Sequence, residues 1–263
     1  MTVTHDQGLF GPDSVAWRLH ADPVMLIGGM RALLVQALEP RAMAGVDQHS
    51  KFREDPWGRL QRTTNFVMAT TYGTTVQAEA ACARVRSVHR RIRGIDPVTG
   101  CAYSATDPDL LLWIHAVELD SFVTAYRAYA GTLSDIDADL YVAEMAPVAE
   151  LCELPRDMSP MTYGQVRDYL DSVAGLHVGD ATREAMRVVF FPPMPLPLRP
   201  LWVLPATATL AILPPAARRL YGLPWFGPAT IPTRINVFAL SRLWRAVRGT
   251  PPVIRDARAR AAA

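Results

Sequence analysis

Only three of the 263 residues are cysteine, Cys82, Cys101 and Cys152, and no two of them form a Cys-x-x-Cys pair. The odd, scattered count gives no disulfide framework and no zinc-binding spacing, so a reducing compartment is expected. Gly-rich phosphate loops are missing, as is Gly-x-Ser-x-Gly, which removes nucleotide-phosphate cradles and nucleophile-elbow hydrolases. Excess charge is missing too: 27 basic against 25 acidic residues leave a formal net charge of +2, which argues against a nucleic-acid partner. The polar start, Met1 to Gln7, does not read as a signal peptide, and a cytoplasmic protein is expected. Long uninterrupted apolar runs are lacking. Val24 to Leu38 contains Arg31 and Gln36 and reads as a buried helix; Leu196 to Leu213 contains prolines and Arg199. The latter reads as core, with a peripheral membrane contact as the alternative. There is no internal repeat and no alternating strand pattern.

What is present is a helical chain. Half the residues are apolar and a fifth charged, and the length fits one large domain, or two small ones, with a sizeable core. Asp22-Pro23, with a cap and a first-turn proline, predicts a helix ending at Glu39, before Pro40. Further helices are expected over about Pro56 to Tyr72, Thr75 to Arg93, Asp107 to Tyr129, Ser134 to Leu151, Thr162 to Val173 and Asp180 to Val189. Asp96 to Tyr103 has the turn chemistry of a short hairpin. The proline-rich stretch from Pro192 to Pro197 is a stiff linker or belt. Beyond it, helices are expected over about Arg199 to Leu213, Pro214 to Tyr221 and Pro228 to Val247. Residues 1–10 and 256–263 are expected to be loose.

Three clusters carry chemistry. His89 shares a predicted helix face with Val85 and Ile92, and Arg93 follows one turn on. An imidazole on an apolar face with a cation beside it suits an iron-porphyrin pocket, because the ring ligates iron and the guanidinium meets a propionate. A structural or solvated histidine has the same signature. His115 lies deeper, among Leu111, Leu112 and Leu119, and Glu118 is placed to supply the partner its ring needs. His-x-x-Glu is the reverse of the Glu-x-x-His order that bundle di-iron sites use, which weighs against a non-haem metal. Arg59, Thr63 and Phe66 form one helical stripe, with Arg62 a turn before Phe66. That mixture suits the wall of a pocket for a polar ligand, although an ordinary amphipathic helix with solvated arginines explains it as well.

Several runs in order carry a family resemblance. They are Asp55-Pro56-Trp57-Gly58-Arg59-Leu60-Gln61-Arg62-Thr63, then Val88-His89-Arg90-Arg91-Ile92-Arg93-Gly94. Tyr103 to His115, with Asp107-Pro108-Asp109, and Leu220-Tyr221-Gly222-Leu223-Pro224 follow. Over roughly Phe10 to Ala257 the chain resembles the MpaB-type oxygenases, which include the rubber oxygenases. The resemblance implies an all-α, single-domain protein with a globin-like core that binds haem b. By the same likeness His89 is the proximal iron ligand, Arg93 a nearby pocket arginine, Arg59 and Thr63 distal polar residues, and His115 a second pocket histidine. Two departures stand out. Rubber oxygenases carry a lysine at the position of Arg62, and many relatives carry a histidine at the position of Glu39.

Together these readings predict a haem b-dependent oxygenase or peroxygenase. Arg59, Arg62 and Thr63 would be the catalytic residues; His89, Arg93, Phe66 and His115 would surround the cofactor. Its partners would be a small apolar or aromatic substrate, dioxygen or peroxide, and an electron donor. No Cys-x-x-Cys-His attachment site is present, so haem would be held non-covalently. The alternatives are a haem-binding or apolar-ligand-binding protein without turnover, and a helical interaction module without a cofactor.

Overall fold

A computed structural model describes residues 6–223 and 230–262, and the structural statements here concern those residues. In chain order the elements are α1 (Val15–His20), α2 (Met25–Gln36), α3 (Pro40–His49), α4 (Pro56–Tyr72) and α5 (Thr75–His89). The strands β1 (Arg93–Ile95) and β2 (Ala102–Ser104) follow. Then come α6 (Pro108–Tyr129), α7 (Asp135–Leu151), α8 (Tyr163–Ser172) and α9 (Asp180–Phe190). A single 3-10 turn (Leu196–Leu198) leads into α10 (Arg199–Ile212), α11 (Pro215–Tyr221), α12 (Thr230–Arg248) and α13 (Pro252–Ala262). The fold is all-α, in one domain; the only sheet among the described residues is the antiparallel β1–β2 pair.

Local chemistry sets most boundaries. Thr74 and Gln77 form a reciprocal capping box on α5, and Thr162 and Gln165 do the same on α8. Ser134 caps α7, and Asp55 caps α4 by accepting from the Gly58 amide. The hairpin turn is built by Asp96, whose carboxylate accepts from the Val98 and Thr99 amides, and by Gly100 at φ 73°.

Several boundaries differ from the sequence-based expectation. Asp22 accepts from the Val24 amide in a turn, so α2 starts at Met25. Glu39 does not end in a loop but caps a new helix, α3, accepting from the Ala42 amide at 2.6 Å. Helix α5 stops at His89 rather than Arg93, because the chain turns at Arg90 and Arg91 and Arg93 pairs with Ser104 in the hairpin. The expected stacking of Val85, His89, Ile92 and Arg93 on one helix face therefore does not form. Described residues near both ends make contacts with the core. Phe10 is buried, Asp6 accepts from Thr75, and the final segment is α13, which buries Ile254 and Ala257. Arg260 on α13 donates to the carbonyls of Asp6 and Tyr72.

Helix α6 is the axis of the core, packed by α1, α2, α7, α8, α10 and α12. Its contact with α2 is the closest, since a Cβ on Gly28 would stand 2.7 Å from the Phe122 ring. Beside it lies a buried polar junction. Arg31 donates to Asp120 (2.6 Å), to Ser121 (2.7 Å) and to the Ile212 carbonyl (3.0 Å). Tyr163 donates to the other Asp120 oxygen at 2.7 Å. Burial, the largest single influence, would raise the Asp120 carboxyl; Arg31, Tyr163 and Arg167 together outweigh it and hold the carboxyl below its ordinary value. This junction fixes α2, α6, α8 and the end of α10 in one register. Elsewhere, Cys82 on α5 and Cys152 after α7 come close enough to interact as free thiols, which their distance along the chain conceals.

Candidate functional site

Helices α4 and α5 are joined through Gly73 and Thr74 and pack against each other, so they form an antiparallel helical hairpin. The half of this hairpin near its connection is buried: Thr70, Thr71 and Tyr72 on α4, and Ala78, Ala81 and Cys82 on α5. The other half buries no residue from Trp57 to Ala69 or from Ala83 to His89. Yet that half carries Leu60, Phe66, Val67, Val85 and Val88, apolar side chains that packed helices usually cover. It also carries Arg59, Arg62, Thr63 and His89.

His89, the last residue of α5, is half-buried, and neither ring nitrogen has a hydrogen-bond partner among the described residues. Burial lowers its pKa, partly opposed by the charge of Glu153. The ring is therefore neutral near pH 7, the form that ligates iron. Glu153 sits at φ 73°, a conformation seldom used by non-glycine residues, and pairs with Arg90 at 2.7 Å and with Arg86 at 3.8 Å. It ties the end of α7 to the end of α5.

Arg59 is the most unusual group. Desolvation, with a contribution from Arg62, lowers its pKa, and its guanidinium has neither a carboxylate nor a hydrogen-bond acceptor among the described residues. An unpaired, desolvated cation is costly unless an anion completes it. Thr63 is exposed and donates its hydroxyl proton back to the Arg59 carbonyl at 3.2 Å, which leaves its lone pairs outward. Arg62 is also exposed and pairs with Asp55 at 3.2 Å. Phe66 packs against the main core cluster. Arg93 is exposed on β1, where its carbonyl accepts from His49, so it shares no helix face with His89.

His115 lies on α6. Its Nε2 is buried without a hydrogen-bond partner, and burial pushes its pKa down to about 4. The expected bond to Glu118 is not made; burial instead pushes the Glu118 carboxyl up to about 7. Glu118 faces Cys152 and Tyr141, so this side of α6 looks toward the end of α7 that Glu153 binds to α5. His20, which the sequence analysis did not single out, shows what a structural histidine looks like here. It is buried with Thr71 at 2.7 Å on one nitrogen and Tyr141 at 2.9 Å on the other. By that standard neither His89 nor His115 has the protein partners of a structural histidine among the described residues.

No group of three or more His, Cys, Asp and Glu side chains suited to a metal ion occurs among the described residues. A porphyrin iron asks for less: one imidazole, apolar walls and cations for its carboxylates. The open half of the α4/α5 hairpin offers these, and the orphaned nitrogen of His115 is a further buried polar atom in want of a partner. Two open surface grooves of about 640 and 410 Å³ lie elsewhere, around Arg127 and Tyr129, and involve none of these residues.

Glu118 makes the region pH-sensitive. A buried carboxyl binds its proton more tightly folded than unfolded, so stability falls as pH rises from about 4.5 to about 7 and is level above. His20 and His115, with lowered values, act in the opposite sense between about 4 and 6.5. Comparing wild type with Glu118→Gln cancels the histidines. The variant's advantage in melting temperature should grow by a few degrees from pH 4.5 to pH 7.5. A difference that stays flat with pH would show that Glu118 titrates normally.

The arrangement defines a helical protein with imidazole and guanidinium groups gathered on an open, apolar helical hairpin. Residues 17–249 match the family described as ER-bound oxygenase mpaB/B'/Rubber oxygenase, catalytic domain, and the chain belongs to that family. Comparison with curated proteins and with solved structures finds no match.

Proposed function

We propose that this chain is a haem b-dependent oxygenase or peroxygenase acting on a small apolar or aromatic molecule in the cytoplasm. The observation that carries the reading is Arg59, a desolvated guanidinium with no counter-ion, on the helix paired with the one that ends in the neutral, unbonded His89. Family membership supports the oxygenase class. His89 would hold the cofactor, and Phe66, Val85 and Val88 would cover its faces. When bound, haem would supply the redox chemistry of its iron toward an oxidant.

The protein's own part is orientation and electrostatics. Arg59 directs N–H groups at negative charge, which stabilises an anionic oxygen or a propionate without reorganisation. Thr63 accepts from a polar group while its proton stays on the Arg59 carbonyl. Arg62 is held by Asp55, and a guanidinium is a poor metal ligand.

The test is an absorption spectrum of protein expressed with adequate haem. A Soret band is expected, with a ferric spectrum lacking a second nitrogen ligand. No Soret band would reject the haem reading. A low-spin bis-nitrogen spectrum would favour haem storage or electron transfer, with His115 as the natural second ligand.

A further inference from the structure

The small net charge hides a strong asymmetry. After Glu184 the remaining 79 residues contain eleven arginines and a single acidic residue, Asp256, for a formal charge of +10; the first 184 residues carry −8. The cationic part is also where large apolar side chains are most exposed. Phe191 is 82% exposed, and Leu196, Leu198, Leu201 and Val203 follow within twelve residues at 47–73%. On α12, which packs on α10, Ile235 and Leu240 are exposed as well. Arg187, Arg199, Arg219 and Arg242 form no salt bridge among the described residues.

We propose that this belt, from Phe191 through α10 to α12, docks the protein peripherally on an anionic lipid bilayer. Exposed aliphatic and aromatic groups gain by entering the acyl boundary, and flanking arginines gain from lipid phosphates. Five prolines from Pro192 to Pro200 remove backbone N–H donors that would otherwise need water. Trp57 and Trp202 meet edge to face at 5.4 Å beside the belt, and each indole N–H already has a protein carbonyl, at Pro193 and Val189. Their rings are thereby free to sit at the headgroup level.

The belt lies on the membrane and does not cross it. No single helix among the described residues is long and apolar enough to span, and the apolar pair α10 and α11 is bent by 114°. The inner faces of that pair are fastened to the protein: Tyr129 donates to the Ala208 carbonyl, Arg31 to that of Ile212 and Tyr221 to that of Leu34. Trp57 precedes Arg59 by two residues on α4, so docking would set the open half of the hairpin next to the lipid. That consequence rests on the oxygenase reading, whereas the docking does not.

The test is co-sedimentation of the full chain, without added haem, with vesicles of phosphatidylcholine alone or mixed with phosphatidylglycerol. Binding to the anionic vesicles is expected, weakened by salt and at least about tenfold weaker on neutral ones. Leu201→Ser combined with Val203→Ser should weaken it about tenfold or more while the helical circular dichroism stays unchanged. If that variant misfolds, Phe191→Ser, outside any helix, serves instead. Brominated lipid should quench the tryptophan fluorescence of the wild type. The proposal is overturned by absence of binding to anionic vesicles at low salt, or by binding indifferent to these substitutions. It is equally overturned if the chain prefers duplex DNA, or if it self-associates through the belt and ignores vesicles.

Discussion

His89→Ala is expected to abolish the Soret band of haem-supplemented protein, while His115→Ala keeps it. A porphyrin held non-covalently would depend on the imidazole that ligates its iron, and apolar walls alone would retain it weakly. His89 meets the structural demands of that role: a depressed pKa, free ring nitrogens, and a place at the mouth of the open α4/α5 half. His115 has its own claim, since its Nε2 is the buried nitrogen without a partner. The two variants separate the claims. Haem titration followed at the Soret maximum should give saturable binding for His115→Ala and none for His89→Ala. The reverse pattern would make His115 the iron ligand and His89 a half-exposed helix end. Thermal unfolding of both variants without haem serves as control, because neither ring makes a bond whose loss should unfold the protein.

What the sequence revealed follows from the range of the forces involved. Caps and first-turn prolines act within four residues, and the starts of α4, α6, α7 and α8 were accordingly readable from Asp55-Pro56, Asp107-Pro108, Ser134 and Thr162. The cap at Asp107 was right in place but not in mechanism, because its carboxylate turns back to the Ser104 amide. Where long-range packing decides, the local pattern misled. Basic residues after His89 read as more helix, yet hairpin pairing with β2 pulls Arg93 away. The Ala/Arg-rich tail read as loose, yet Ile254 and Ala257 find a buried seat and Arg260 reaches back to Tyr72. Burial of Glu118 and the missing partner of Arg59 were beyond reach, since both depend on neighbours far along the chain. Charge asymmetry is legible along the sequence, although the net value of +2 hides it. The segment after Glu184, at +10, shows that +2 averages two unlike parts of the chain.

Arg59→Ala is expected to leave haem in place and to slow oxidative turnover about a hundredfold, the typical effect of about 3 kcal/mol for losing one well-placed donor. The reason lies in its environment. A half-buried guanidinium, partly shielded from water, interacts more strongly with charge that develops beside it than a solvated one, and it has no carboxylate to neutralise it beforehand. Arg62 is the internal comparison. It is one turn away, solvated and committed to Asp55, so Arg62→Ala should change turnover little. Arg59→Lys keeps the charge but loses the planar fork, and should fall between wild type and alanine. Single-turnover rates measured at matched haem occupancy decide the matter, once a substrate is in hand. If Arg59→Ala instead releases haem, the guanidinium anchors a propionate and the oxidant is handled elsewhere. If Arg62→Ala is the slower variant, the distal wall faces the other side of α4, and the desolvation of Arg59 is structural.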